Sequence, residues 1–597
     1  MKSKRAPNLD KAIEYLQAKN GVKVVETCRK LLKKDPKNFD LLHLMGIGYR
    51  LQKKFDRALE YFHKAEKVRP EGTAPLYCNM AAAVLKQRKE SIFRADKYVE
   101  KARKLAPDLI ETHEVSADVF SRTGDPFSAE EAFKKGLELR PNEPRLLRKL
   151  AKALKEGERF DASLEAIERA RSVAPMDYSI MEEYADIREQ RGETEEALDA
   201  FTALRDDPRS NSYLVDQRIV GMLSTHGQKE EVERRALELT ERFPNSLGPH
   251  LTLIRLGKYP GGVDKGIETI DELGKNSKRR IVDNFAIADG YDKEKNYDLA
   301  FEHLLAGNAA KRERERKRYP GIETTHEHHN NIKSVFEGNV HELMSGSEDA
   351  DKYPTPIFVL GMPRSGTSLT EQLLGMHSQI YPAGELTFLP QLIKFGHGAY
   401  LNHPKQRESA HFIRARDTYL KCIKEISNDS PFVIDKMPHN HENLGFIRKL
   451  FPNAIIIHTF RDPISNCLSL FKANFGGWHP YAQDLNLLGL YYREYQKLMD
   501  FWGERFGDTI YQSRYENLVD DMRTVVTEIL SIAGLEWEDE IEGFHSVDRI
   551  VRTASNDQVR QPIYKSSKKS WTKYGDSLQP LIDSLMRAGA ITEADLA

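Results

Sequence analysis

A short segment with two glycines contains residue types that are suited to binding an anion. The segment GMPRSGTS (361–368) has the spacing of a phosphate-binding loop, GxxxxGK[ST], and it joins a short β-branched run to a predicted helix. A strand that enters a helix through such a loop directs backbone N–H groups and the positive end of the helix at an anion. The alternative is an incidental glycine turn, but the order of strand, loop and helix favours anion binding.

One position in this loop departs from the pattern of nucleotide triphosphatases. Thr367 stands where those enzymes have the lysine that neutralises the β- and γ-phosphates. Arg364 supplies positive charge from inside the loop, and Thr367 and Ser368 supply hydroxyl groups. We therefore expect a phosphate-like ligand that does not need a lysine with Mg²⁺, and the departure argues against a P-loop kinase.

A second candidate phosphate site follows the apolar run AIIIHTF (454–460). Arg461 comes directly after this run, and Ser469 lies eight residues later on a predicted helix. A guanidinium group can bind a phosphate through two parallel hydrogen bonds, and a nearby hydroxyl adds another contact. The chain thus carries two separate segments with side chains suited to phosphate groups.

These segments resemble those of a known enzyme family. PRSGTSL resembles the 5′-phosphosulfate-binding loop of sulfotransferases, which use 3′-phosphoadenylyl sulfate (PAPS) as donor, and IIIHTFRDPISNCLSLF is similar to the family's 3′-phosphate-binding segment. RYENLV and SNDQVRQPIY follow in family order, so the resemblance covers roughly residues 355–575. It implies a donor site, without a metal, at Arg364, Ser365, Gly366, Thr367, Ser368, Arg461, Ser469 and Tyr515.

Within the family, the chain resembles most the tyrosylprotein sulfotransferase branch and its bacterial repeat-fused relatives. Glu385, in YPAGEL, stands where that branch has its catalytic base, whereas cytosolic small-molecule sulfotransferases typically use histidine. A carboxylate can accept the proton of an acceptor hydroxyl, and a phenol, with a pKa of about 10, gives up that proton more easily than an alkyl alcohol. The other interpretation of Glu385 is an acid that stabilises a helix N-terminus.

The resemblance also implies two residues that act on the leaving group. Lys436, in VIDKMPHN, ends a predicted strand, where α/β proteins gather their functional groups. It resembles the family lysine that stabilises charge on the bridging oxygen. Ser555, in TASNDQV, resembles the serine that helps to hold the transition state, and Asn556 is the alternative for this role.

The chain departs from the family pattern at two positions. Ser570 precedes the tail Trp571, where the family often has a basic residue, and Ala473 occupies a second position that is usually basic. Neighbouring lysines are candidates to replace them: Lys472, Lys568, Lys569 and Lys573. These departures bear on how tightly the nucleotide is held.

The elements that precede this region repeat. Prolines that follow helical patterns recur every 33 to 37 residues, at Pro36, Pro70, Pro107, Pro141, Pro175 and Pro208. This is the period of tetratricopeptide repeats, in which each unit is a pair of helices. In the unit 38–70, Gly46 on the first helix and Ala58, Phe62 and Ala65 on the second have the expected pattern of small and large residues. The pair 73–107 contains extra residues, so its turn is predicted to be irregular.

The repeat pattern weakens after about residue 245, although residues 283–312 still predict one more helical hairpin. The charged segment KRERERKR (311–318) favours a solvated helix face over a nucleic-acid site. The spacing of His326, His328 and His329 matches no usual zinc pattern and favours a polar interdomain helix.

Beyond an acidic segment at 344–351, strand patterns alternate with helical ones. Apolar runs such as 455–457 predict strands that are buried on both faces, and this alternation predicts a parallel sheet. The predicted fold is thus α plus α/β. A tetratricopeptide helical solenoid occupies residues 1–345, and a P-loop-like α/β sulfotransferase domain occupies residues 352–597.

Composition limits the remaining functional classes. With 90 Lys+Arg against 91 Asp+Glu, the chain has no overall charge that would favour nucleic acid or an anionic membrane. Its 40% hydrophobic residues exclude global disorder, and its four scattered cysteines exclude a disulfide scaffold. No run approaches the roughly 20 apolar residues of a membrane span, and the first residues lack the apolar region of a secretory signal. We expect a cytoplasmic protein.

The ordered motifs and the family resemblance predict in-line transfer of a sulfuryl group from PAPS to an acceptor hydroxyl, without a covalent enzyme intermediate. A protein or peptide is expected in the groove of the repeats, and a protein tyrosine is one acceptor that the branch allows. Two alternatives stay open: a small-molecule or glycan sulfotransferase whose repeats act as a scaffold, and a non-catalytic scaffold.

Overall fold

The structure, a computed structural model, covers two compact units. It describes residues 7–86, 92–123, 125–208, 210–274, 281–315, 319, 321–337, 353–393, 409–427, 429–475, 479–546, 563 and 568–596. The first unit consists of Met1–Ile187 with Thr387–Gly398, and the second of Arg188–Leu386 with Ala399–Ala597. The predicted domain boundary near residue 345 lies outside the described residues.

Successive helix pairs build the first unit. Its helices are α1 (Pro7–Gln17), α2 (Gly21–Leu32), α3 (Phe39–Leu51), α4 (Phe55–Val68), α5 (Ala74–Lys86), α6 (Ile92–Leu105), α7 (Ile110–Thr123), α8 (Pro126–Leu139), α9 (Pro144–Glu156) and α10 (Phe160–Val173). Helix α11 (Tyr178–Gln190) contains the division between the units. The irregular turn that we predict in the pair 73–107 falls on residues 87–91, outside the described part of the chain.

The packing of α3 against α4 explains the small residues of the repeat. A Cβ atom on Gly46 would overlap the ring of Phe62, so only glycine allows the two helices to approach this closely. Phe62, Ala58 and Ala65 are completely buried, and Met45 is 1% exposed. The predicted pairing of small and large residues is confirmed, as is the helical solenoid.

Helices continue into the second unit as α12 (Thr194–Asp206), α13 (Ser212–Thr225), α14 (Lys229–Arg242), α15 (Leu247–Leu256), α16 (Gly262–Leu273), α17 (Ile281–Lys293), α18 (Tyr297–Glu315) and α19 (Ile322–Phe336). The predicted late hairpin is confirmed as α17 and α18. Ala286, Tyr291 and Ala300 are buried in the apolar cluster of this hairpin.

A five-stranded parallel sheet follows, as predicted. Its strands are β1 (Thr355–Gly361), β2 (Ile380–Pro382), β3 (Phe432–Asp435), β4 (Ile455–Phe460) and β5 (Ile510–Arg514), in the order β2-β3-β1-β4-β5. Its helices are α20 (Thr367–Leu374), α21 (Phe388–Gln391), α22 (Ser409–Ile426), α23 (Leu444–Leu450), α24 (Pro463–Lys472), α25 (Leu485–Phe506), α26 (Tyr515–Asp520), α27 (Met522–Ile532) and α28 (Gln579–Ala588). Helix α21 belongs to the residues grouped with the first unit.

Both faces of the sheet are covered. On β1, Val359 packs in the cluster with α20 and α27, whereas Phe358 stacks on Tyr419 of α22 at 5.9 Å between ring centroids. Both side chains are completely buried, which confirms the prediction from the apolar runs. Strand β2 was not predicted, because a three-residue strand is too short for a periodic pattern.

Two charged segments join the helices to the sheet region of the second unit. Lys311 is 3% exposed and donates to the Phe475 carbonyl at 2.6 Å, so the predicted solvated face is wrong at this residue. On α19, His326 lies 3.0 Å from Glu494. Similarly, His328 lies 3.2 Å from Glu442. Alternating charges alone do not reveal which of them will be covered by another element.

Membrane-spanning helices and metal-binding clusters are absent from the residues that the structure describes. No helix in these ranges is long and apolar enough to cross a bilayer. No group of three or more His, Cys, Asp and Glu side chains in the same ranges could hold a metal ion.

Candidate active site

The loop between β1 and α20 has a backbone that depends on two glycines. Gly361 has φ 147°, and a Cβ atom there would overlap the carbonyl oxygen of Thr459 on β4. Gly366 has φ 109°, and a Cβ atom there would lie 2.8 Å from the ring of Tyr515. These close approaches allow the loop to lie tightly across the ends of the neighbouring strands.

Arg364 lies inside this loop in an uncommon conformation. Its φ of 70° belongs to the left-handed region, which costs a residue with a side chain on the order of 1 kcal/mol. Its Nε donates to Ser469 Oγ on α24 at 2.9 Å. The structure therefore brings one residue from each of the two predicted phosphate segments into direct contact.

Further hydrogen bonds hold the loop against β4 and α24. The hydroxyls of Ser365 and Thr459 lie 2.8 Å apart, and Asn466 Nδ2 donates to the Pro363 carbonyl at 3.0 Å. Ser365, Thr367 and Ser368 are all buried. The loop is thus a supported structure at the positive end of α20.

Arg461 follows β4 and lies over an aromatic ring. Its guanidinium carbon is 4.5 Å from the ring centroid of Tyr515, which begins α26 directly after β5. The Tyr492 hydroxyl donates to the Arg461 carbonyl at 3.2 Å. A planar guanidinium stacked on a ring is oriented for directional hydrogen bonds.

Lys436 and Glu385 form an ion pair. Lys436 directly follows β3 and is completely buried, and its Nζ donates to Glu385 Oε1 at 2.7 Å. The Glu385 side chain is 42% exposed. One end of the pair is therefore inside the protein, and the other is open to solvent.

A second carboxylate, which sequence analysis missed, lies beside this pair. Glu371 of α20 has Oε2 3.9 Å from Lys436 Nζ, and its Oε1 accepts the Gly384 N–H at 2.7 Å. Its side chain is only 5% exposed. The sequence did contain a signal for Glu371, because it is an acid within the apolar pattern of the helix that follows the loop.

Asp435, which was also not predicted, directly precedes Lys436 in the chain. Burial raises the pKa of Asp435 to about 8, and the Tyr419 hydroxyl donates to its Oδ2 at 2.8 Å. Asn440 Nδ2 is 3.5 Å from the other oxygen, Oδ1. Asp435 is therefore mostly protonated at pH 7, and the signal in the sequence was an acid at the end of a buried strand.

The candidates from the end of the chain are only partly described. Ser555 and Asn556 lie outside the described residues. Lys472 Nζ donates to the Tyr574 hydroxyl at 2.7 Å and lies 3.2 Å from Asp292 of α17. Lys472 is thus held against Tyr574 and the helical hairpin.

The other proposed substitutes have different surroundings. Lys568 pairs with Asp520, and its carbonyl accepts the Ser465 hydroxyl of α24 at 2.8 Å. Lys573 Nζ lies 5.7 Å from the ring centroid of Tyr297. The first of these lysines therefore lies against the helix that carries Ser469.

The candidate residues share a position in the topology. The loop follows β1, Lys436 follows β3, Arg461 follows β4 and Tyr515 follows β5. Since all strand pairs are parallel, these points lie at one edge of the sheet. Carboxyl ends of parallel strands are the usual place for a ligand site.

Comparison with known families agrees with this geometry. Residues 356–539 match the model of the sulfotransferase family, and residues 148–211 match a model of the tetratricopeptide repeat. The chain contains a sulfotransferase-family domain together with tetratricopeptide repeats. The sulfotransferase match includes every site candidate from Arg364 to Tyr515, whereas Ser555 lies beyond it.

Three relatives illustrate the range of similarity. A protein of Aquifex aeolicus (strain VF5), described as uncharacterized, is 32% identical over 66% of this chain and 53% of its own length. A putative protein-tyrosine sulfotransferase of Caenorhabditis briggsae is 23% identical over 36% of this chain and 80% of its own length. Protein-tyrosine sulfotransferase 2 of Gallus gallus is 23% identical over 38% of this chain and 66% of its own length. The chain thus spans about half the length of the Aquifex protein.

Proposed function

We propose that the sulfotransferase domain moves a sulfuryl group from PAPS to the hydroxyl of an acceptor protein, with tyrosine as the acceptor residue. The observation that carries the proposal is the convergence of the Arg364 loop, Arg461 and the Lys436–Glu385 pair at one edge of a parallel sheet. This convergence supports a single site with cationic groups for a doubly phosphorylated donor and a carboxylate for the proposed base.

The donor would be held at its two anionic ends. The loop from Arg364 to Ser368, with the positive end of α20, suits the 5′-phosphosulfate. Arg461 and Ser469 suit the 3′-phosphate, because a stacked guanidinium can bind it through two hydrogen bonds. The 2.9 Å contact between Arg364 and Ser469 supports two adjoining anion sites.

The transfer itself would be a single in-line displacement. Glu385 accepts the proton of the acceptor hydroxyl as the acceptor oxygen forms its bond to sulfur. The bond between sulfur and the bridging phosphate oxygen breaks, and Lys436 stabilises the charge that develops on that oxygen. Ser555 would assist there, on the strength of the family resemblance alone. Such catalysis depends on positioning and charge stabilisation.

The acceptor class is proposed from two lines of support. Two relatives of the domain carry the name of protein-tyrosine sulfotransferases. In addition, tetratricopeptide repeats usually offer a groove for an extended peptide or a partner protein. Turnover of small phenols or glycans without turnover of any protein would favour the alternative in which the repeats serve only as a scaffold.

The donor site is tested first by calorimetry with adenosine 3′,5′-bisphosphate and with ADP. We expect the wild-type chain to prefer the bisphosphate by at least about tenfold, since a charge-assisted hydrogen bond contributes roughly 1.5–3 kcal/mol. Arg461→Ala should remove most of that preference and leave ADP binding nearly unchanged.

The matched control is Arg523→Ala, which removes an exposed arginine that pairs with Glu542 on the same domain. This variant should bind both nucleotides as the wild-type chain does. A wild-type chain that binds the two nucleotides equally would refute the proposed donor.

A further inference from the structure

We propose that Glu371 is a positioning residue for this reaction, which holds both the lysine and the segment that carries the base. The inference rests on the proposed function. It goes beyond the resemblance, which names Glu385 and Lys436 but no carboxylate on the helix after the loop.

The geometry gives Glu371 two contacts at once. Its Oε1 accepts the N–H of Gly384, the residue directly before Glu385, at 2.7 Å. Its Oε2 lies 3.9 Å from Lys436 Nζ, whose closest carboxylate oxygen is Glu385 Oε1 at 2.7 Å. Since α20 begins at the phosphate loop, one helix links the anion site to both catalytic candidates.

Burial explains why the lysine needs a second anion. Lys436 is completely buried, and an ammonium group in such a place is stable only when it is paired. During turnover Glu385 must release Lys436 and turn to the acceptor. Glu371, which is 5% exposed and fixed on a helix, remains beside the lysine as a second carboxylate partner.

Two other titratable groups near the cluster, Asp435 and His439, add little charge at pH 7. Burial raises the pKa of Asp435 to about 8, so this acid is mostly neutral. Burial lowers the pKa of the His439 imidazole, which is therefore neutral as well. The charged side chains that accompany Glu385 in the cluster are therefore Lys436 and Glu371.

Removal of the Glu371 charge should therefore change the chemistry without moving the backbone. In Glu371→Gln the amide oxygen still accepts the Gly384 N–H, but among the residues that the structure describes Lys436 then has Glu385 as its one ion-pair partner. A stronger pair makes Glu385 a weaker base, because a nearby positive charge favours the ionised carboxylate. It also keeps Lys436 away from the leaving oxygen.

The experiment measures the pH dependence of kcat for the full-length wild-type chain and Glu371→Gln, with PAPS and a tyrosine-containing peptide or a small phenol. We expect kcat to fall on the order of tenfold. We also expect its acid limb to move to lower pH, with the KM for PAPS within about threefold of wild type. Glu540→Gln, which changes an exposed glutamate of the same domain, should change none of these values.

A second variant separates positioning from folding. Glu371→Ala also removes the hydrogen bond to Gly384, so it should lose more activity than Glu371→Gln. If both variants lose activity in proportion to a loss of folded protein, with an unmoved acid limb, the role is structural and the inference is wrong.

The two proposals fail differently in this experiment. A wild-type chain that transfers no sulfuryl group to any acceptor overturns the proposed function, and the role of Glu371 falls with it. An active wild-type chain with wild-type kcat and an unmoved acid limb in Glu371→Gln overturns the role of Glu371 alone.

Discussion

Lys436 and Glu385 neutralise each other at 2.7 Å, although the proposed reaction needs each of them to act on a different oxygen. The arrangement has a physical basis, since a buried ammonium without a partner would be costly. The pair is therefore a resting arrangement that the substrates must open.

At the residue scale, Glu385→Gln tests the base. The amide can still accept a hydrogen bond from Lys436, but it cannot take a proton, so kcat should fall by about 100-fold or more. Calorimetric binding of adenosine 3′,5′-bisphosphate should stay within about threefold of wild type, because the phosphate groups are assigned to other residues. Wild-type turnover in this variant would exclude Glu385 as the base.

Strand β3 presents its last residue and the residue after it to different surroundings. Asp435 points to Tyr419 and Asn440 in the interior, whereas Lys436 reaches the exposed Glu385. The end of β3 thus places an uncharged acid in the interior and the next residue, a lysine, in the ion pair with Glu385. This alternation follows from the pleat of a strand.

The buried acid at the end of β3 predicts a pH-dependent stability. The pKa of Asp435 is raised to about 8, against about 3.9 in an unfolded chain, so the folded state binds more protons between these values. Stability should therefore fall as pH rises from about 5 to 8, by at most about 1.4 kcal/mol per pH unit, and should level off above pH 8.

Asp435→Asn should flatten this dependence, because the amide does not ionise. Calorimetric melting at pH 5, 6, 7 and 8 measures the effect, with the exposed Asp508→Asn as control. The same decline in wild type and Asp435→Asn would show that another group causes it.

At the scale of the molecule, the late helices α17–α19 contact elements that carry the sulfotransferase match. Buried Asn308 of α18 donates to the Phe471 carbonyl of α24 at 2.9 Å, and Lys311 donates to the Phe475 carbonyl. His329 of α19 is completely buried, with Nδ1 3.2 Å from the Glu494 carbonyl. Because α24 carries Ser469, α18 supports the helix of the proposed 3′-phosphate site.

Two truncations test this division. Removal of residues 1–345 takes away α17–α19 and leaves buried polar groups of the domain without partners, so bisphosphate binding should be lost. Removal of residues 1–187 keeps the whole proposed donor site and should preserve the affinity within about threefold, as calorimetry can measure.

The shorter truncation also tests the acceptor. If the repeats present a protein substrate, removal of residues 1–187 should reduce turnover of protein acceptors more than that of a small phenol. Equal losses would indicate a structural role for the repeats. Full bisphosphate affinity after removal of residues 1–345 would contradict the assignment of α17–α19 to the domain.

The local patterns of the sequence were sufficient for the repeats, four of the five strands and the loop between β1 and α20. Periodic small and large residues predict helix pairs, and the spacing of Gly361 and Gly366 predicts a loop, because each pattern lies within one short segment. The same holds for Arg461 and Ser469, which lie on one strand end and the helix that follows it. Neighbours along the chain determined these features.

Tertiary structure alone decided which charges meet. Glu371, Glu385 and Lys436 come from a helix, a short segment after β2 and the end of β3, and only the parallel sheet brings them together. Burial at the end of β3 raises the pKa of Asp435, although the hydrogen bond from Tyr419 acts in the opposite direction. Burial and charge pairing depend on distances in space, and a pattern of residues along the chain does not contain those distances.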